Sequence, residues 1–123
     1  MINAKNFKIL KTNFSNGKKH DFRLFKESRP LISKDVLIQG DTGYQGIQKV
    51  HQNSNTPYKR KRNTEISKEE KRYNHSLSSK RIFVEHVIGR LKRFKVISER
   101  YRNRRKRFGL RFNLIAGIYN WEI

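Results

Sequence analysis

Apolar positions recur with a helical period most clearly from Ser78 to Lys95, SSKRIFVEHVIGRLKRFK. Ile82, Val84, Val87, Ile88 and Leu91 fall three or four residues apart and make one apolar stripe, so the segment is expected to be an amphipathic helix. Ser78 or Ser79 stands where its N-cap belongs. A second apolar segment, 111–123, carries Phe112, Leu114, Ile115, Ile118, Tyr119 and Trp121 at helical spacing and is expected to pack as a core helix. Upstream, Ile66 to Asn74 (ISKEEKRYN) predicts a short helix. Ser67 would be its N-cap and Glu70, three residues on, the capping-box partner.

The first half of the chain has shorter elements. Residues 6–14 alternate loosely through Phe7, Ile9 and Phe14, which suggests a strand. Ser15-Asn16-Gly17 is turn chemistry. His20-Asp21 precedes Phe22, Leu24 and Phe25, a short helix with Asp21 as its expected N-cap rather than a metal ligand. It should end near Arg29-Pro30, because proline disfavours helix in the residue before it. Val36, Leu37 and Ile38 are an apolar run consistent with a buried strand. Gly40 and Gly43 allow a sharp turn after it, and Tyr44 to His51 reads as a brief helix. Residues 53–63, NSNTPYKRKRN, read as a loop or edge strand, since Pro57 cannot sit in a central strand.

Charge changes this picture most. The 123 residues hold 30 Lys+Arg against 10 Asp+Glu, a formal net charge of +20. That exceeds what solubility needs and implies a polyanionic partner, DNA or RNA before a membrane surface. The length allows at most one domain, or part of one. At 34% hydrophobic residues the chain is lean for a self-sufficient core. Cysteine is absent, which removes disulfides and Cys-based zinc sites. The N-terminus lacks a sustained apolar region and no run has the length of a membrane span, so a cytoplasmic location is the expectation. Two basic clusters stand out. Lys59, Arg60, Lys61 and Arg62 follow Tyr58, and basic residues beside an aromatic suit a phosphate backbone as well as they suit a solvated loop. From Arg100 to Arg107, six of eight residues are Arg or Lys with no acid, and such density needs a counter-ion.

Two carboxylates stand apart from the basic background. Glu85 shares a helix face with Arg81, Gly89 and Lys92, because residues three, four and seven apart are neighbours. An ion-pair row, Arg81–Glu85 and Glu85–Lys92, is one reading of that face. An acid flanked by cations and aimed at a nucleic-acid backbone is the other. Asp41 follows the apolar run of DVLIQGD, where open α/β sheets place ligand groups, although Asp and Gly also simply start turns.

The spacing of Arg81, Glu85 and Lys92 resembles the glutamate-helix signature of bacterial insertion-sequence DDE transposases, except that Ser78 stands where that signature has Tyr. GDTGYQG at 40–46 resembles the segment around the family's second catalytic Asp, and FSNGKKHDFRLFKES the segment before it. SLSSKRIFVEHVIGRLKRF and YRNRRKRFGLRFNLIAGIYN resemble its C-terminal half. The resemblance covers nearly all the chain from Phe7 onward. It implies that residues 1–123 are the C-terminal portion of one catalytic domain: an α/β, partial RNase H-like fold lacking its first strands, with a helical C-terminal half. It implies that Asp41 and Glu85 are catalytic and metal-binding. Arg81 and Lys92 would hold DNA, joined by Lys59, Arg60, Arg102, Arg104, Arg105 and Arg107. Mg²⁺ or Mn²⁺ would be the cofactor of the complete enzyme, which cleaves DNA and transfers strands. Double-stranded DNA at transposon ends would be the partner, with self-association or a complementing upstream fragment as further partners.

The family's first Asp lies upstream of anything present here. Asp21 and Asp35 are the only spare upstream aspartates, and neither lies in a segment resembling that motif, so the chain alone is expected to be inactive. The alternative is a small basic nucleic-acid-binding protein, for instance an RNA-binding accessory protein, with Glu85 merely structural. Either reading predicts binding through phosphates. Each neutralised phosphate should contribute about −0.9 to the slope of log K against log salt for duplex DNA. Replacing Arg102, Arg104, Arg105 and Arg107 together with Ala should weaken binding to all sequences alike and flatten that slope in a salt titration.

Overall fold

The computed structural model describes residues 1–99 and 107–123. Its elements run α1 (Asp21–Glu27), β1 (Ile38–Gln39), β2 (Ser54–Asn55), α2 (Lys68–Leu91), α3 (Lys95–Ser98) and α4 (Phe108–Glu122), with 3₁₀ turns at Thr42–Tyr44 and Ile47–Lys49. The class is mixed: helices with one small parallel sheet, in which Ile38 pairs with Ser54 and Gln39 with Asn55. Two compact units divide the chain, Met1–Phe14 with Ile82–Ile123, and Ser15–Arg81.

In the unit Ser15–Arg81, α1 starts one residue earlier than its composition suggests. His20, not Asp21, is the N-cap: its Nδ1 accepts the Phe22 N–H at 3.3 Å, and Asp21 becomes the acid of the first turn. α1 closes at Ser28, whose N–H donates to the Leu24 carbonyl, so Pro30 follows the helix end as expected. The apolar run Val36-Leu37-Ile38 forms a strand only from Ile38, and Val36 and Leu37 are 49% and 47% exposed rather than buried. Among the described residues β2 is the one partner strand, and its pairing begins only at Ile38, after the run's first two residues. The brief helix expected from Tyr44 to His51 is instead two 3₁₀ turns broken at Gly46, whose φ of 84° is left-handed. Phe25, Ile47 and Leu77 are the buried apolar residues of this unit.

The capping box at the start of α2 forms as read. Glu70 N–H donates to Ser67 Oγ at 3.2 Å, and Ser67 N–H to Glu70 Oε2 at 3.1 Å. The helix then does not stop. The two helices expected over 66–74 and 78–95 are one helix of 24 residues, so neither Ser78 nor Ser79 is an N-cap. Ser79 Oγ instead donates back to the His75 carbonyl at 3.0 Å, a local bond that leaves the backbone ladder intact. α2 ends at Leu91, and Lys95 opens the short α3.

In the other unit, Val87 and Leu91 of α2 pack with Ile115 and Tyr119 of α4, flanked by Ile2, Ile9, Phe94, Ile97 and Phe112. Of the expected apolar stripe, Val87 and Leu91 are buried, whereas Ile82 and Ile88 are 54% and 41% exposed. The N-terminal segment is not a strand. It makes a tight hairpin with one antiparallel bridge, Ile2 to Ile9, and turns at Phe7, where φ is 59°. In place of a neighbouring strand, the Asn120 side chain serves the backbone of Ile9, accepting its N–H and donating to its carbonyl, both at 2.8 Å. Tyr119 Oη reaches the Phe7 carbonyl at 3.2 Å. Phe14 caps the start of α4, its ring edge-on to Phe108 and Phe112. α4 begins at Phe108, three residues before the segment expected, and leaves Leu110, Leu114 and Trp121 66–87% exposed.

Because one amide satisfies both backbone groups of Ile9, Asn120→Ala should cost about 1–2 kcal/mol. Urea denaturation should show it as a lower midpoint without a change in slope.

Candidate active site around Asp41

Asp41 leaves the end of β1 in extended conformation and caps the 3₁₀ turn that follows; its Oδ1 accepts the Gly43 N–H at 2.9 Å. Two glycines make this turn possible by close approach, not by left-handed backbone. A Cβ on Gly40 would meet Tyr44 Cβ at 2.8 Å, and a Cβ on Gly43 would sit 3.1 Å from Asp41 Oδ1. Gly40 N–H continues the sheet by donating to Asn55 O at 3.0 Å.

Tyr44 holds the turn against α1. Its ring lies 5.8 Å from Phe22 and 6.1 Å from Phe25, centroid to centroid. That packing brings the start of α1 to Asp41. An open cavity of about 370 Å³ is lined by Lys19, His20, Asp21, Asp41, Thr42, Gly43 and Tyr44. A Cβ on Gly43 would also come within 3.5 Å of the His20 ring, so the glycine keeps the space between imidazole and carboxylate clear. His20 Nδ1 accepts a backbone N–H, so in the neutral ring the proton sits on Nε2, a donor on the other edge. Lys19 is pinned to Glu27 at 2.6 Å, and Arg23 joins it at 3.0 Å. These two bonds hold the Glu27 carboxyl below its ordinary range.

The sequence-derived site residues are placed as follows. Asp41 is exposed at the cavity. Arg81 is half-buried in the same unit, and its charge acts on the Tyr44 phenol against those of Asp21 and Asp41. Burial is the largest influence on Tyr44, the two aspartates add to it, and its pKa is raised. Glu85 and Lys92 belong to the other unit. Both are exposed, and neither takes part in an ion pair among the described residues, so the row Arg81–Glu85–Lys92 is not formed. Lys59 and Arg60 are exposed on the loop after β2, and Arg107 is exposed at the start of α4. A cation there opposes the helix dipole and gains nothing from it. Arg102, Arg104 and Arg105 lie outside the described residues.

Sequence reasoning set Asp21 aside as a cap and gave His20 no role; both line the Asp41 cavity, and Asp35 does not. The signal was the aromatic trio Phe22, Phe25 and Tyr44, which ties the two segments together.

A family model described as DDE superfamily endonuclease matches residues 2–120. The chain belongs to the DDE transposase family. It is 49% identical, over all 123 of its residues, to a probable transposase for insertion sequence element IS702 from Microchaete diplosiphon. The chain spans 45% of the length of that transposase. No solved structure matches it. Among the described residues, no helix of this transposase-family chain is long and apolar enough to cross a membrane.

The raised Tyr44 pKa has a sign. The folded state favours the neutral phenol, so its contribution to stability is fully present below the ordinary value of 10.0 and is lost as pH rises through the higher folded value. Tyr44→Phe should therefore unfold like the parent at pH 7 and lose less stability as the pH rises past the ordinary phenol value of 10.0, read by thermal melts from neutral to alkaline pH.

Proposed function

We propose that this chain is part of the catalytic domain of an insertion-sequence transposase, acting on double-stranded DNA at transposon ends. The observation that carries the reading is Asp41: an exposed carboxylate at the end of a parallel strand, oriented by one backbone N–H and opening onto a polar cavity. The parallel pair β1–β2 and the helices after it support reading residues 1–123 as the C-terminal portion of an RNase H-like catalytic domain that lacks its first strands.

Asp41 and Glu85 are the proposed catalytic, metal-binding carboxylates. Their fit to Mg²⁺ or Mn²⁺ rests on donor chemistry. Asp41 spends one oxygen on Gly43 N–H and has no further hydrogen bond among the described residues. Mg²⁺ takes hard oxygen ligands and is commonly held by one or two carboxylates with several waters. When bound, the ion would polarise a phosphodiester and stabilise the attacking and leaving oxygens. The chain's own residues bind and orient. Arg81, Lys92, Lys59, Arg60, Arg102, Arg104, Arg105 and Arg107 neutralise phosphates, and the Gly43 N–H fixes the Asp41 carboxylate.

The second reading, a basic nucleic-acid-binding module without catalysis, is favoured by one observation: among the described residues no three His, Asp or Glu side chains are grouped to hold a metal. Metal titration separates the two. The transposase reading predicts weak Mn²⁺ binding that Asp41→Asn and Glu85→Gln each reduce, and no nicking of supercoiled plasmid by the chain alone. Fusion to the Asp-bearing upstream segment of a relative should confer nicking that either substitution abolishes. Metal binding indifferent to both substitutions would favour the binding module. Robust Asp41-dependent nicking by the chain alone would refute the missing-Asp account.

A further inference from the structure

The basic loop after β2 is held more firmly than a solvated loop requires. Gln45, four residues beyond Asp41, donates through Nε2 to the Pro57 carbonyl at 2.6 Å. Asn74 of α2 serves both backbone groups of Tyr58: Oδ1 accepts its N–H at 2.7 Å, and Nδ2 donates to its carbonyl at 3.0 Å. Past Tyr58 the chain winds into a turn, with Thr64 N–H on the Lys61 carbonyl at 3.2 Å and Arg60 Nε on the Thr64 carbonyl at 3.3 Å. The turn is completed by Asn63 in left-handed conformation, φ 61°. Lys59, Arg60, Lys61 and Arg62 are all exposed, and none is in an ion pair among the described residues.

This anchoring also fixes an aromatic pair. Tyr73, next to Asn74 on α2, meets the Tyr58 ring edge to face, with centroids 5.2 Å apart. The two residues remain 50% and 38% exposed. Two half-exposed tyrosines whose backbone is clamped, set beside four consecutive cations, match the chemistry of single-strand recognition. There, cations track the phosphates and aromatic faces stack on bases without regard to sequence. A duplex offers such rings nothing, because its base faces are already stacked on one another.

We propose that Tyr58 and Tyr73 form a stacking platform for an unpaired base of single-stranded DNA, with Lys59, Lys61 and Arg62 neutralising the flanking phosphates. This rests on the reading that the chain binds DNA, and it adds a site for unpaired strand that phosphate contacts alone do not imply. Asn74 and Gln45 are positioning residues: they clamp the loop and touch no DNA.

The test uses the whole chain, a labelled 15-nucleotide oligo-dT and a 15-base-pair duplex, with anisotropy at fixed salt. Replacing both Tyr58 and Tyr73 with Leu should weaken binding to oligo-dT about tenfold and leave duplex binding within about twofold. Phe at both positions should retain binding to both. On the unsubstituted chain, ring ¹³C signals of Tyr58 and Tyr73 should shift with oligo-dT and stay in place with duplex. Equal losses for the two DNAs, no loss for either, or unmoved ring signals would overturn the platform while leaving DNA binding intact. Tighter binding to oligo-U than to oligo-dT would overturn the assignment to DNA. A chain that binds neither DNA would overturn the DNA-binding reading, and the platform with it.

Discussion

The backbone ladder of α2 is the constraint on which the other features depend. It is launched by two reciprocal bonds between Ser67 and Glu70 and runs unbroken to Leu91. Along that one helix stand Tyr73 and Asn74, which fix the basic loop, then Leu77, buried in the unit Ser15–Arg81. Arg81, Glu85 and the buried Val87 and Leu91 follow. Within the unit Ser15–Arg81, the helix gives Tyr73, Asn74 and Leu77 their angular positions by sequence number.

The middle of α2 was the least legible part of the sequence. Asn74-His75-Ser76-Leu77-Ser78-Ser79 has loop composition, because Asn and Ser side chains compete with the helix for backbone hydrogen bonds. The structure shows where that competition goes. Asn74 spends its amide on Tyr58, Ser79 bonds back to His75 O, and Leu77 is buried at 4% exposure. Tertiary partners decide the outcome, and these are invisible in a six-residue window. The capping box was legible because it is wholly local. The segment 6–14 failed as a strand for the same reason as α2: the groups that satisfy Ile9 come from Asn120, 111 residues away.

The site was legible in part. Asp41 and Glu85 stood out as acids at motif spacing, and membership of the DDE family agrees with the motifs that marked them. The neighbourhood of Asp41 was not legible. His20 and Asp21 reach its cavity only because Phe22 and Phe25 pack on Tyr44. Spacing alone favours the ion-pair reading of Glu85, yet Glu85 is exposed and outside any ion pair among the described residues.

α2 as one continuous helix is what positions Tyr73, Asn74 and Leu77 in the unit Ser15–Arg81, and amide hydrogen exchange resolved by residue tests that continuity most directly. The account predicts graded protection from Lys71 through Leu91 with no gap at Ser76 to Lys80. Fast exchange confined to Ser76–Lys80, with protected stretches on either side, would contradict it. α2 would then be two helices, as the loop-like composition of that stretch suggests.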